Sequence, residues 1–401
     1  MKRLQQLIAL LLLGCLCLPA SGLDDDHWKK ANASIEKGIA YLRANQAEDG
    51  SWMPDMGPAV TGLALTALLE QPNIGPDDPT AAKAIAYILK HVQEDGSIRK
   101  GPDGILASYN TALCLSALAR IGGSNPEAAS AIKGGQEFLK GTQWIAGMKD
   151  PDGKTIEEGH PFYGGFGYGG SGRPDISNTQ FALQAFKDTG VDCEDPVFKR
   201  ALTFLNRIQA VESNDMNKDK FEKLDGGFIY STSIDKDHIG VAESKASQDQ
   251  IDEAKAGRPV SGLRSYGSVT YAGFKSMVYA NLDRDDPRMK AALSWISKNY
   301  TLTQNPGMPE DQKLQGLFYY YITMGRALNA YGNSTVSVQL PSVDGAEPVI
   351  EKRDWANDLI DTVVKHQHEE GWWANTESRW LESQPVLVTA YAVIALQNAI
   401  D

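Results

Sequence analysis

Hydrophobic positions along the chain fall into two kinds of helical segment, and the two kinds alternate. Segments such as 81–91 combine charged residues with an apolar stripe at helical spacing, as expected of a helix with one face in water. Segments such as 61–69 and 110–118 are apolar almost all round, which is typical of helices buried on most sides. The alternation continues to the C-terminus and predicts an all-α protein made of helical hairpins.

The pattern predicts six hairpins, each with a turn between its first and its second helix. The helix pairs are 28–45 with 58–69, 80–92 with 107–121, 127–143 with 176–188, 197–209 with 268–282, 288–299 with 314–331, and 355–367 with 385–400. A supersecondary unit that recurs in this way indicates a repeat architecture. Surface helices that alternate with buried ones predict two concentric rings, an (α/α)6 toroid, and an open solenoid of hairpins is the alternative.

Four of the predicted surface helices begin with the same two-residue device. An Asp or Asn that can cap the helix stands before a proline at the first helical position, where the missing amide hydrogen costs nothing. The device occurs at Asp78-Pro79, Asn125-Pro126, Asp195-Pro196 and Asp286-Pro287. Its recurrence at equivalent places supports the repeat, and it explains Asp286, the last residue of an Asp-x-Asp-Asp run, as a helix cap.

Residues 1–22 have the pattern of a secretion signal. Two basic residues precede the apolar run 7–18, which is too short to span a bilayer, and small residues follow at 20–22. We therefore expect an exported protein, periplasmic or extracellular. The sequence around Cys15 also resembles a lipoprotein processing site, so membrane contact is expected only through a lipid anchor there. Residues 23–401 are predicted to form one toroid domain, with long insertions near 144–164, 210–224 and 231–265.

Charge and cysteine content narrow the choice of partners. Residues 1–22 hold two of the 39 basic residues and none of the 51 acidic ones, so the remaining chain has a net charge of −14. Such a surface argues against nucleic acid and anionic lipid as partners. Beyond residue 22 the only cysteines are Cys114 and Cys193, which could form one disulfide. No ligand set has convincing metal-site spacing, and no metal or cofactor is expected.

The turns resemble a known repeat. Residues Gln46, Asp49 and Trp52, then Gln93 and Asp95, and finally Gln367 and Trp372 follow the pattern of squalene–hopene and oxidosqualene cyclases. Their superfamily also includes the β subunits of protein prenyltransferases. The resemblance covers almost all of residues 23–401 and implies a structural role for these residues. In that family the Gln and the acidic residue tie neighbouring helices together, and the Trp packs beside them.

The resemblance also implies where chemistry is expected. In the cyclases an Asp-x-Asp-Asp-Thr motif opens one inner helix, and its middle Asp protonates the substrate. The matching stretch here is Asp175-Ile176-Ser177-Asn178-Thr179, in which Ser177 replaces the middle Asp and Asn178 the last one. A serine cannot be that acid. Asp175 remains as a catalytic candidate, and capping of its helix is the alternative. The zinc ligands of the prenyltransferases have no convincing match.

In a toroid the starts of the buried helices surround one mouth of the central bore. Aromatic and amide side chains there can line a lipid pocket, a sugar site or a peptide groove. We expect a binding or scaffold protein, or an enzyme of unassigned chemistry. A terpene cyclase-like enzyme acting on an isoprenoid lipid and a carbohydrate-active toroid enzyme are the alternatives. The residues expected at the mouth are Asp55, Tyr109, Asn110, Arg173, Asp175, Asn178, Tyr266, Thr270, Tyr319 and Trp380.

Overall fold

The structure is a computed structural model that describes residues 22–101, 104, 106–169, 172–340 and 347–401. The predicted secretion signal and Cys15 therefore lie outside the described residues, apart from Gly22. In the part that is described, no helix combines the length and the apolar character that are needed to cross a membrane.

Twelve helices form six hairpins, as the sequence pattern predicts. The first helices of the hairpins are α1 (Asp25–Ala44), α3 (Pro79–Lys90), α5 (Pro126–Thr142), α7 (Pro196–Arg207), α10 (Pro287–Asn299) and α12 (Trp355–Lys365). The second helices are α2 (Ala59–Leu69), α4 (Ala107–Leu118), α6 (Ile176–Asp188), α9 (Gly267–Tyr279), α11 (Leu317–Tyr331) and α13 (Pro385–Ile400). The side chains of Asp78, Asn125, Asp195 and Asp286 cap the helices that follow them, which confirms the predicted device.

The second helices form a closed inner ring. Helices α2, α4, α6, α9, α11 and α13 contact one another in chain order, and α13 also contacts α2. The first helices pack outside this ring, for example α5 on α4 and α10 on α9. This arrangement confirms the all-α toroid. It excludes the open solenoid, because an open array has no contact between its first and its last inner helix.

Glutamine side chains fasten four of the hairpin turns to the next outer helix, an arrangement that we call the glutamine tie. In each tie the side-chain amide donates to the carbonyl of the turn glycine and to a carbonyl of the neighbouring outer helix. Gln209, for example, donates to Gly226 at 3.0 Å and to Arg288 in α10 at 2.8 Å. Gln46, Gln143 and Gln367 make the equivalent pairs of bonds to Gly50 and Thr80, to Gly164 and Val197, and to Gly371 and Ser34.

The turn glycine of a tie cannot be replaced without strain. Gly226 has φ +88°, and a Cβ atom there would lie 2.2 Å from the carbonyl oxygen of Ala291 in α10. Gly371 has φ +92°, and its Cβ would lie 2.5 Å from the carbonyl oxygen of Lys37 in α1. Only glycine permits this backbone angle and this close approach together.

The other turn residues act more locally than the resemblance implies. Gln93 donates to the carbonyls of His91 and Arg99, so its two bonds stay within its own turn. Asp49 and Asp95 likewise accept hydrogen bonds from serines two residues later in their own turns and do not bridge helices.

The buried tryptophan of the last turn is Trp373 and not the predicted Trp372. Trp52 is buried and donates its ring N–H to the carbonyl of Leu42. In the last unit the buried ring that donates to the outer helix, to Val363 at 2.7 Å, is that of Trp373 and not of Trp372. Trp372 is half-buried and stacks on His368. Trp52 and Trp373 both follow their turn glycine by two residues, and this spacing decides which ring points inward.

The long insertions contain structure of their own that the sequence pattern did not predict. The insertion near 144–164 has a small apolar cluster around Trp144 and Phe162, and that near 231–265 contains helix α8 (Gln248–Lys255). An antiparallel hairpin of β1 (Thr335–Gln339) and β2 (Ile350–Asp354) joins α11 to α12. Cys114, buried in α4, and Cys193 are both free, so the disulfide considered above is not formed.

The glutamine tie gives a direct prediction for stability. Gln209 is fully buried, and Gln209→Ala removes both bonds of the tie and leaves the turn carbonyl of Gly226 without its donor, so we expect a loss of about 2–4 kcal/mol in the free energy of unfolding. Gln93→Ala is the matched control. Its carbonyls lie in a partly exposed turn where water can replace the amide, and we expect a loss below about 1 kcal/mol. Urea unfolding of both variants measures the difference, and equal losses would contradict a bridging role for Gln209.

Candidate functional site

The first turns of the inner helices surround a cavity of about 270 Å³, which we call the tyrosine cavity. Most of its wall is aromatic or aliphatic. Its polar side chains other than tyrosine are Ser177, Ser268 and Glu382, with the indole of Trp380 at the rim. Six tyrosines contribute to the wall, namely Tyr109, Tyr168, Tyr230, Tyr266, Tyr319 and Tyr391.

Of the residues expected at the mouth of the bore, four line this cavity: Tyr109, Tyr266, Tyr319 and Trp380. Each stands in or just before the first turn of a ring helix, or on the short segment that leads into α13. Their positions in the hairpins therefore bring them together, although they are far apart in the sequence.

The other polar residues expected at the mouth make structural contacts and do not line the cavity. Asn110 accepts a hydrogen bond from the amide of Ala59 at the start of α2. The Thr270 hydroxyl accepts from the amide of Phe228. Asp55 is exposed and lies 3.7 Å from the amine of Lys100.

Asp175 caps helix α6 and is fully buried behind the cavity wall. Its two carboxylate oxygens accept from the backbone amide and the side-chain amide of Asn178, each at 2.9 Å. Burial raises the pKa of Asp175, although the nearby Arg173 charge opposes the shift. The negative charge of Asp175, followed by burial, raises the pKa of Tyr168 in the cavity wall to about 12. The carboxylate thus influences the cavity electrostatically without facing it.

Ser177 faces the tyrosine cavity at the position where the cyclase motif has its acid. Its hydroxyl oxygen accepts from the Tyr319 hydroxyl at 3.1 Å, and the Tyr319 oxygen in turn accepts from the Gln180 amide at 3.2 Å. Helix α6 therefore presents an alcohol to the cavity at this position.

Glu382 is the carboxylate in the described wall of the cavity, and the sequence analysis missed it. It is fully buried and caps helix α11 from a separate loop. One carboxylate oxygen accepts from the amide of Tyr319 at 2.7 Å. The other accepts from the amide of Phe318 at 3.3 Å and from the side chain of Asn375 at 2.6 Å. No local motif marks a glutamate that caps a helix more than sixty residues away.

Burial gives Glu382 unusual acid–base properties. Loss of solvent raises its pKa to about 7, although the hydrogen bonds from Asn375 and from the α11 amides act in the opposite direction. A carboxyl group with this pKa exists in both protonation states near neutral pH, which is the condition for efficient general acid–base chemistry. It remains far too weak an acid to protonate an isolated alkene.

The rim of the cavity holds strained backbone. Leu106, Trp380 and Leu381 all line the cavity with positive φ angles of +58°, +56° and +65°. Such conformations cost about 1–3 kcal/mol each and tend to cluster at binding and catalytic sites. Gly316, at the start of α11, lies against the Trp380 ring, where a Cβ atom would approach to 2.9 Å.

Positive charge collects beside the rim. Arg173 and Lys245 both lie over the ring of Tyr230, at 5.4 and 4.6 Å from its centre, and both pair with Glu243. Arg379 lies 4.9 Å from the centre of the Trp380 ring. Three cations therefore lie beside an apolar cavity, two of them paired with Glu243, and the charge of Asp175 acts on Arg173 from behind the wall.

In the described part of the chain, no group of three or more His, Cys, Asp or Glu side chains is arranged to hold a metal ion. His366 donates its Nδ1–H to the Thr362 carbonyl of its own helix at 2.7 Å, and His368 stacks on Trp372, so the two histidines do not converge.

Comparison with solved structures identifies proteins of the same fold. No protein-family profile and no curated protein matches the sequence. A variant of the type II terpene cyclase MstE from Scytonema, in complex with its product merosterolic acid A, is similar over 94% of this chain and 99% of its own, with 14% identity and a TM-score of 0.51.

Two sugar-processing enzymes are similar to the same degree. The unsaturated glucuronyl hydrolase of Streptococcus agalactiae matches 95% of this chain and 93% of its own, at 11% identity and a TM-score of 0.51. A D-mannose isomerase matches 95% of this chain and 99% of its own, at 13% identity and a TM-score of 0.54. At these identities the likeness establishes a shared toroid fold, and the chemistry must be argued from the site.

The raised pKa of Glu382 predicts a pH-dependent stability. Because its folded pKa of about 7 lies above the usual 4.5, its stabilising contribution is fully present below about pH 4.5 and is lost as the pH rises through 7. The wild type should therefore lose up to about 3 kcal/mol of unfolding free energy over this range in excess of Glu382→Gln. Urea unfolding at several pH values measures both proteins. Parallel pH profiles for the two would show that Glu382 titrates normally.

Proposed function

We propose that this protein binds a small apolar molecule of the isoprenoid class in the tyrosine cavity and lacks standard cyclase activity. The observation that carries the proposal is the combination of an aromatic and aliphatic wall with Ser177 at the position of the cyclase acid. The volume of about 270 Å³ lies just below the range of about 300–1,000 Å³ that is usual for sites of drug-sized ligands, which favours a small molecule.

The hydroxyl groups of the wall support an apolar ligand. The Tyr168 and Tyr230 hydroxyls lie 3.0 Å apart and bond to each other, and Tyr319 bonds to Ser177 and Gln180. Tyrosines whose hydroxyls are already paired offer mainly their ring surfaces to a ligand, and ring surfaces favour apolar and unsaturated groups.

The cations beside the rim favour a ligand that has an anionic end. Its apolar body would lie among the tyrosines while a carboxylate or similar group reached Arg173, Lys245 or Arg379. MstE, which shares the fold, binds merosterolic acid A, in keeping with an acidic isoprenoid as the class of ligand.

The two alternatives have weaker support. A carbohydrate-active enzyme is favoured only by the fold shared with the glucuronyl hydrolase and the mannose isomerase. Glycoside hydrolysis usually needs two carboxyl groups that flank the bond, whereas the described wall holds Glu382 alone. A cyclase-like enzyme would need a strong acid in the cavity, and Asp175 is buried behind the wall and engaged in capping.

Filling the cavity tests the binding proposal. Ser177 faces the cavity with a small side chain, so Ser177→Phe should place a ring inside and weaken binding of farnesoic acid at least tenfold, about 1.4 kcal/mol. Ser177→Ala is the matched control, because it removes the same hydroxyl without filling space, and its affinity should stay within about threefold of the wild type. Quenching of tryptophan fluorescence by the ligand, with Trp380 at the rim, is the measurement.

Further arms of this experiment separate the alternatives. Farnesol should bind more weakly than farnesoic acid, since it lacks the anionic end. A failure of both isoprenoids to bind the wild type, or equal binding by Ser177→Phe, would contradict the proposal. Binding of glucuronic acid or mannose in their place would favour the carbohydrate alternative.

Lack of cyclase activity is a separate prediction. We expect the purified wild type to give no cyclic product from squalene, because an alcohol stands at the position of the acid and Asp175 does not reach the cavity. Product analysis by gas chromatography and mass spectrometry is the measurement. A cyclic product that disappears in Asp175→Asn would restore the cyclase alternative.

Export remains a proposal of its own, based on the signal pattern of residues 1–22. Terminal sequencing of the protein recovered from outside the cytoplasm should begin near residue 23. A lipid-modified Cys15 at the N-terminus would favour the anchored form instead.

A further inference from the structure

A second cavity, which we call the polar cavity, lies at the opposite end of the ring, where the inner helices end. Its volume is about 670 Å³, and its wall shares no residue with that of the tyrosine cavity. The residues that matter below are Glu70, Arg120, Gln184, Asp188 and Arg326.

Most charged groups in the polar cavity already have partners. Arg120 forms an ion pair with Glu70. Asp188 accepts two hydrogen bonds from the side-chain amide of Gln184, at 3.1 and 3.2 Å. The Arg120–Glu70 pair joins the ends of two neighbouring inner helices and the Gln184–Asp188 pair lies within α6, so both can be explained as structural interactions.

Arg326 is the exception. Arg326 is only 4% exposed and lines the polar cavity from helix α11. Among the described residues, no carboxylate lies within 4.0 Å of its guanidinium and no side chain or carbonyl accepts a hydrogen bond from it. Buried arginines are nearly always paired, because an unpaired charge in a poorly solvated place is costly.

A second buried basic side chain lies nearby. The Lys275 amine in α9 is fully buried and donates to the side-chain oxygen of Gln184 at 2.7 Å. Burial, and then the charge of Arg326, lowers the pKa of Lys275 well below its usual value, and Asp188 only partly opposes this. Asp188 and Asp401 line the same cavity, but neither lies within ion-pair distance of the Arg326 guanidinium.

The helix dipole does not replace the missing partner. The partial negative charge at the end of a helix falls off within the last turn. Arg326 lies more than one turn before Tyr331, the last residue of α11, and its own helix carbonyls are engaged in helical bonds. Arg326 therefore faces the cavity with N–H groups that no described side chain or carbonyl occupies, and these groups can receive a ligand.

We propose that the polar cavity is a second binding site, which takes a small polar molecule through a carboxylate or phosphate group held by Arg326. The planar guanidinium matches both oxyanions and can bond them through two parallel N–H groups. This site is independent of the tyrosine cavity and of any ligand there.

Calorimetric titration of the full chain with inorganic phosphate, and separately with succinate, tests the proposal at an ionic strength kept constant with chloride. We expect the wild type to bind at least one of the two, and the tighter one identifies the group that the site prefers. Arg326→Gln should weaken binding by roughly 10- to 100-fold, the usual effect of losing charge-assisted hydrogen bonds. Arg258→Gln, an exposed position outside the cavity, should leave the affinity unchanged.

The stability of the ligand-free variants provides an independent readout. Arg326→Met removes an unpaired buried charge, so its melting temperature should not fall below that of the wild type. Arg120→Met is the matched control in the same cavity, and it should lower the melting temperature because it leaves Glu70 without its partner. The proposal is wrong if neither anion binds the wild type, if Arg326→Gln binds as well as the wild type, or if Arg326→Met is as destabilised as Arg120→Met.

Discussion

The glutamine tie is the interaction on which the ring depends. A side-chain amide donates one hydrogen bond to the turn of its own hairpin and one to the next outer helix, so it joins each hairpin to its neighbour. The tie in the last unit is decisive, because Gln367 donates to Ser34 in the first helix and Gly371 lies against the same helix. The same local device that joins neighbours therefore also joins the two ends of the chain. The bonds of Gln93 stay within its own turn, and bonds of that kind alone would not fix the angle between neighbouring hairpins.

Closing the ring gives the two ends of the bore different chemistry. All the inner helices point the same way, so their first turns meet at one mouth and their last turns at the other. Phe181, midway along α6, links the two ends: its ring contacts Tyr109 and Tyr319 of the tyrosine cavity, and the Lys275 amine lies 5.8 Å from its centre. Apolar residues and one carboxylate occupy the first end, whereas paired ions, amides and Arg326 occupy the second. A small change of helix position would move residues between these environments, which is why the ties matter to both sites.

The sequence predicted well those features that depend only on where a residue stands in its helical hairpin. Helix bounds agree to within a few residues, and Tyr109, Tyr266 and Tyr319 reach the cavity because they stand at equivalent helix starts. The sequence was uninformative where a loop folds back on a distant helix. Glu382 acquires its burial and its pKa from the start of α11, and Tyr168 and Tyr230 enter the wall from irregular segments. Arg326 lies in an apolar helix, and which side of this helix faces the bore depends on how the ring closes. The sequence did contain the spacing that identifies Trp373, because Trp373 follows its turn glycine by two residues, as Trp52 does. The prediction chose the neighbouring Trp372 instead.

The tyrosine cavity separates the requirements for binding from those for cyclisation. Binding an apolar molecule needs surface and exclusion of water, and the ring faces of the wall supply both without any ionised group. Cyclisation needs in addition an acid that is strong, dry and aimed at the substrate. Here α6 presents Ser177 to the cavity, and Asp175 caps the same helix. Glu382 accepts hydrogen bonds from two backbone amides and from the side chain of Asn375. The described wall thus offers mainly ring and aliphatic surface, and its one carboxyl group is Glu382, whose pKa burial raises to about 7.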